Sequence, residues 1–193
     1  KSQVLTVSLS PLLLPQGVSV VFTLSCSNFF SSENAVQLTV VPNAPPSPGV
    51  FSMFPSVGLA AQDIFTFITA AWSDDDLPIT YQFGFSIQEI DVVLISRSEK
   101  SYAPSQLPAG SEENNNMLVC IAVIFDQLNA NSTATDEVAV LSQPLADIAE
   151  VTMNRLLSLS SDSSNDEIKQ ATMLAMTLVN AVNCSAAPNC SAI

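Results

Sequence analysis

Hydrophobic and polar residues alternate with a period of two through several short runs of the chain. The clearest is ITYQFGFSI, where Ile79, Tyr81, Phe83, Phe85 and Ile87 share one parity and Thr80, Gln82, Gly84, Ser86 and Gln88 the other. That pattern predicts a strand with one face on a core and one in water. A one-residue slip would expose the whole apolar set, so the register is strongly specified. Runs at 50–54, 64–71, 92–96, 117–126 and 137–141 read as further strands, separated by turn clusters at 73–78, 104–110 and 112–116. Short strands at this spacing favour an antiparallel sandwich over a parallel sheet.

An earlier pair of runs, VSVVFTLSCSNFF and AVQLTVV, returns as MLVCIAVIFD and DEVAVL. Matching Phe22 to Ile121 gives an offset of 99, and matching Val36 to Val138 gives 102. A repeat of about 100 residues has the size of an immunoglobulin-like sandwich, and the repeated piece would be its last two strands. Residues 1–42 are therefore expected to be the C-terminal part of one module. The stiff stretch PNAPPSPG then acts as a linker, and 43–143 form a complete module.

After Pro144 the period changes to about 3.6, with Leu145, Ile148, Thr152, Leu156 and Leu159 on one stripe. A serine-rich break at 160–164 follows, and a second stripe runs through Ile168, Thr172, Ala175, Val179 and Val182. Ser164 and Glu167 have capping-box spacing. Residues 144–193 thus read as a helical hairpin, and helices this short must dock to be stable. The expected fold class is mostly β: immunoglobulin or fibronectin type III-like antiparallel β-sandwich repeats followed by a C-terminal α-helical hairpin.

Charge narrows the partners. Five basic residues stand against eighteen acidic ones, a net charge of −13, which repels nucleic acid phosphates and anionic lipid. No unbroken apolar run reaches the roughly 20 residues of a membrane span, so attachment to a membrane is expected only through chain outside these residues. The sequence opens at Lys1 in a strand-like pattern, as a piece of a longer polypeptide would. Sequons at Asn131, Asn183 and Asn189, together with four cysteines, point to the secretory pathway. N-linked glycans are expected there, and no other cofactor.

Cys184 and Cys190 flank SAAPN, a turn-forming loop that can bring their Cα atoms into disulfide range. We expect them to pair, against the alternatives of a longer-range partner or free thiols. Cys26 and Cys120 each sit in an apolar run; a small buried thiol, or a bond outside these residues, fits better than a mutual bond.

Asp74, Asp75 and Asp76 form the densest charge cluster and are the one calcium candidate, against a solvated turn whose aspartates accept local backbone hydrogen bonds. Trp72 and Tyr81 are read as core, with Phe83 and Phe85, rather than as a recognition patch. The segments 55–58 and 107–110 are read as turns rather than binding loops. With no histidine in the chain, a Ser/His/Asp triad, a Cys/His pair and a histidine metal site are impossible within it. Acidic residues are scattered over turns and helix starts, which disfavours a glycosidase-like pair. No catalytic residue is assigned.

The stretch from Pro45 to Leu141 resembles the receptor-for-egg-jelly, or REJ, modules of receptor-type polycystins. The resemblance rests on PPSPGVFSMFPSVGLA, FTFITAAWSDDDLPITYQFGF, QLPAG and VIFDQLNANSTATDEVAV, and is most specific from Trp72 to Phe83. It implies an extracellular module on the plasma or ciliary membrane, part of a larger receptor, with a protein or glycan ligand and an associated polycystin-type channel subunit. The alternative is an adhesive or filament-associated glycoprotein with no channel attached.

Overall fold

Residues 6–10, 13–28, 31–87 and 89–186 are described by the structure, a computed structural model of the chain. They fall into two compact units, Lys1–Pro45 and Pro46–Ile193.

The first unit is an antiparallel hairpin of β1 (Val20–Asn28) and β2 (Ser31–Val40). Its register puts Val20, Phe22 and Leu24 on the same face as Val40, Leu38 and Val36, while Val21, Thr23 and Ser25 lie opposite Thr39, Gln37 and Ala35 on the other. One face is thus apolar and the other mostly polar, the pattern of a strand pair from a sandwich.

The second unit contains β3 (Val50–Phe54), β4 (Val57–Leu59), β5 (Phe65–Ala70), β6 (Thr80–Ile87), β7 (Ile90–Ser98), β8 (Tyr102–Ser105), β9 (Met117–Phe125) and β10 (Asn131–Leu141), then α1 (Leu145–Leu157) and α2 (Asn165–Ala186). A five-stranded sheet, β4-β10-β9-β6-β7, and a three-stranded one, β3-β5-β8, share one core. All pairings are antiparallel except β4 with β10. Phe83 and Phe85 lie in that core, and Ile79, Tyr81 and Ile87 pack partly buried against it. The rings of Phe51, Phe67 and Phe83 join the two sheets, with the Phe67 and Phe83 centroids 5.4 Å apart. The Cys120 thiol is buried in the same core; burial, then the nearby Asp136 carboxylate, push its pKa up to about 12, so it stays protonated at neutral pH. Cys26 is exposed in the first unit, and neither thiol is in a disulfide.

The repeat offsets need correction. Phe22 and Val36 share a face of the first hairpin, but Ile121 pairs with Thr135 and Val138 with Leu118, which puts Ile121 and Val138 on opposite faces. If Val36 corresponds to Val138, its partner Leu24 corresponds to Leu118 and Phe22 to Asn116, one residue before β9, so the two offsets do not hold together.

Two segments read as turns behave differently. Val57 and Gly58 belong to β4, with the Ala139 amide donating to the Ser56 carbonyl at 2.9 Å. Leu107, Pro108 and Gly110 are buried: the Ala61 amide donates to the Leu107 carbonyl at 3.1 Å and the Gly110 amide to the Val140 carbonyl at 3.0 Å, making the stretch a strap across the end of the sandwich.

At the sheet edge, β7 carries two register shifts against β6. One inserts Leu94, buried in the core, between the partners of Phe83 and Gly84. Bulges of this kind twist an edge away from further pairing. The first turn of α2 adds to this protection, because the Ser96 amide donates to Asp166 Oδ1 at 3.1 Å and Lys169 Nζ donates to Ser96 Oγ. The expected capping box is present: the Ser164 amide donates to Glu167 Oε2 at 2.7 Å and the Glu167 amide to Ser164 Oγ at 3.2 Å. These bonds hold the Glu167 carboxyl below its ordinary value, so the cap is intact at neutral pH and is lost as pH falls through the lowered pKa.

The helices bury part of the expected stripes. On α1, Ile148 and Thr152 are buried, whereas Leu156 is exposed and Leu159 lies beyond the helix. Among the described side chains of α2 the buried ones are Ala171 and Leu174, and the stripe through Ile168, Thr172 and Val179 faces solvent. α2 runs on to Ala186. Among the described residues no helix is long and apolar enough to cross a membrane.

Candidate functional site

The chemistry-bearing residues gather at the end of the sandwich where β6 begins and β9 ends. Thr80 pairs with Phe125, so the loop before β6 and the turn after β9 are neighbours. In the first loop Asp74 Oδ1 accepts the Asp76 amide at 2.8 Å. In the turn Asp126 Oδ1 accepts the Ala130 amide at 2.9 Å, and the Asp126 amide donates to the Ala130 carbonyl at 3.1 Å. The Gln127 amide donates to the Asp76 carbonyl at 3.0 Å and ties the two together.

Asp74, Asp76 and Asp126 consequently bring one carboxylate oxygen each within 4.8 Å of the others. Asp75 of the expected triplet is outside this group and exposed. Asp126, fully buried, replaces it, and its only sequence signal is its place in the DQLNAN turn after an apolar strand. Three hard oxygens are calcium chemistry when carbonyls complete the shell. They are also what two Asx-type turns need when packed back to back. The turn reading gives a specific expectation. Asp126→Asn keeps an acceptor for the Ala130 amide and relieves like-charge repulsion, so unfolding free energy should stay within about 0.5 kcal/mol or rise. Asp126→Ala leaves that amide unpaired and should cost about 1–3 kcal/mol. Equilibrium denaturation with and without millimolar calcium checks both; a calcium-dependent gain abolished by Asp126→Asn would reassign the cluster to metal ligation.

Arg97 braces the same end. Its guanidinium donates to Thr80 Oγ1, to Asn129 Oδ1 at 2.6 Å and to the Asp126 carbonyl at 2.9 Å, and its Cζ sits 4.4 Å from the Phe125 ring centroid. Such a stacked cation is worth roughly 0.5–1 kcal/mol at an exposed site.

Trp72 lies beside this loop and is half-buried rather than a core plug. It packs on the core margin, and its Nε1 donates to the Val50 carbonyl at 3.2 Å, the usual solution for an indole with one wet edge. Asn131 is not in a loop: β10 starts at that residue, earlier than the polar sequence NSTATD suggests, and both Asn131 and Thr133 are exposed. Cys190 and Asn189 lie outside the described residues, as do the side chains of Asn183 and Cys184, so the expected 184–190 disulfide and those two glycan sites fall there.

A different surface has the character of an interaction site. On the outer face of the three-stranded sheet, Ser52, Ile68 and Tyr102 form one cross-strand row and Phe54, Thr66 and Pro104 the next. Phe54 is 69% and Tyr102 60% exposed, Val50 and Ile68 are exposed beside them, and none of these residues is charged. Clustered exposed aromatics without charge are typical of the core of a protein interface.

A family model described as REJ domain matches residues 3–180. No curated protein matches the chain.

Proposed function

The chain belongs to the REJ domain family, and from that premise we propose that it is a non-catalytic extracellular module of a polycystin-like cell-surface receptor, serving as a stalk segment and a protein-interaction surface. The observation that carries the reading is the extent of the match, which takes in the first hairpin, the sandwich and most of the helical pair. REJ domains are extracellular modules of polycystin-type proteins, and the −13 net charge and the sequons suit that setting. The absence of histidine supports a passive role, as does the engagement of Asp74 and Asp126 in turn hydrogen bonds. The proposal keeps the division into a partial first module, a complete second module and a helical pair.

In this reading the neutral row around Phe54 and Tyr102 receives the partner protein, while the strapped sandwich sets its distance and orientation. Labelled module should bind intact cells saturably, and a Phe54→Glu, Tyr102→Glu double variant should bind at least about tenfold less, a loss of roughly 1.4 kcal/mol, with an unchanged melting curve. Equal binding by both proteins contradicts the assignment of this face. The ciliary setting and the polycystin-type channel subunit as associate extend the proposal on the strength of the sequence resemblance. Co-precipitation of such a channel with the full receptor tests that extension; its absence favours the adhesive or filament-associated glycoprotein with no channel attached.

A further inference from the structure

On the outer face of the five-stranded sheet, Asn131, Phe125 and Thr80 form one cross-strand row. Asn131 is exposed at the sheet's end, and Thr133, the hydroxyl residue of its sequon, is exposed on the same face. Ser132 between them points the other way and is anchored, its Oγ donating to the Pro46 carbonyl at 2.7 Å. The strand backbone therefore fixes the face from which the Asn131 side chain leaves the sheet. Directly opposed residues of an antiparallel pair have Cβ atoms about 4.5–5.5 Å apart, which makes the Asn131 and Phe125 side chains neighbours on this face. Arg97, on β7, bonds Thr80 of β6 and braces the ring, and Phe125 remains partly exposed.

We propose that Asn131 carries an N-linked glycan whose first N-acetylhexosamine stacks its C–H face on Phe125. The proposal rests on the extracellular reading above. In the modification, Asn131 Nδ2 bonds to the anomeric carbon of a lipid-pyrophosphate-linked oligosaccharide donor. The bond from that carbon to the phosphate oxygen breaks, the lipid pyrophosphate leaves with the electron pair, and the amide nitrogen gives up one proton. A sugar ring presents polarised C–H groups, and an aromatic face carries the negative lobe of its quadrupole, so the pair attracts as edge-to-face rings do. Arg97 also fixes the ring's orientation, so little side-chain entropy remains to be lost when the sugar docks. The glycan would then extend over the outer face, where Gly84 floors a shallow depression walled by Val93, Ile121 and Val123.

The test uses the whole chain secreted from eukaryotic cells, with Ser185→Ala and Ser191→Ala removing the other two sequons. Intact mass and peptide mapping read occupancy. Thermal midpoints are compared before and after enzymatic glycan removal, for this protein and for Phe125→Leu, which keeps an apolar side chain but removes the π face. We expect Asn131 to be occupied and its glycan to raise the midpoint by about 2–4 °C, with at most half that shift in Phe125→Leu. A bare Asn131 in exported protein, or equal shifts in both forms, overturns the proposal and leaves the extracellular reading standing. A chain retained and degraded rather than exported, with the sequons of the unsubstituted protein also bare, overturns both.

Discussion

Replacing Phe83 by alanine is expected to lower the unfolding free energy of the second unit by about 3–5 kcal/mol. Phe83 is 1% exposed and packs against both Phe51 and Phe67, the two rings that reach across from the smaller sheet. Truncating it removes the central contact between the sheets and leaves a ring-sized void that rigid neighbours on both sides cannot fill. Trp72→Ala, which pure sequence logic would rank with it, should cost only about 1–2 kcal/mol, because a half-buried indole loses less transfer energy and leaves its site open to water. Urea denaturation of the two variants beside the parent decides the order. A larger loss at Trp72 than at Phe83 would mean that the core is centred elsewhere.

Gly84→Ala should be nearly as damaging although it adds a single methyl group. A Cβ at Gly84 would lie 2.0 Å from the Val92 carbonyl oxygen and 3.0 Å from its carbon. Both are backbone atoms of β7, so no side-chain rotation relieves the clash. The strand would have to move outward at the bulge that seats Leu94 in the core. The expected cost is about 3 kcal/mol, at the upper end for overpacking, and it should come with loss of amide-exchange protection along β7. Ser86→Ala, two residues along the same strand, serves as control and should change stability by no more than about 0.5 kcal/mol. A neutral Gly84→Ala would show that β6 and β7 do not approach in this way.

These residues also show what a sequence can and cannot reveal. Phe83 and Phe85 were legible because period, β propensity and length all agree over 79–87 and only one register buries them. Strand β8 was hidden by Pro104, which an edge strand tolerates since its missing amide hydrogen costs no ladder bond. Strand β4 is three residues long and contains Gly58, too little for periodicity to register. On α2 the stripe through Ile168 and Val179 faces solvent and Ala171 and Leu174 are buried instead, because the face that is covered depends on packing against α1 and β7, which the helix's own sequence does not encode. The acidic site was half visible. Asp74 and Asp76 stand together in the sequence, but their approach to Asp126 depends on the pairing of β6 with β9, a tertiary fact that no local spacing encodes. The likeness of the two strand pairs was visible as pattern, while the pairing registers show that the two offsets read from it do not hold together.

On the function proposed above, this chain is displayed outside the cell as part of a larger surface protein. Antibodies raised against residues 46–186, applied to intact cells that make the full protein, test it most directly. Surface labelling is expected without permeabilisation, with loss of that signal when the cells are first treated with an impermeant protease. Labelling that appears only after permeabilisation, and that survives the protease, would contradict it.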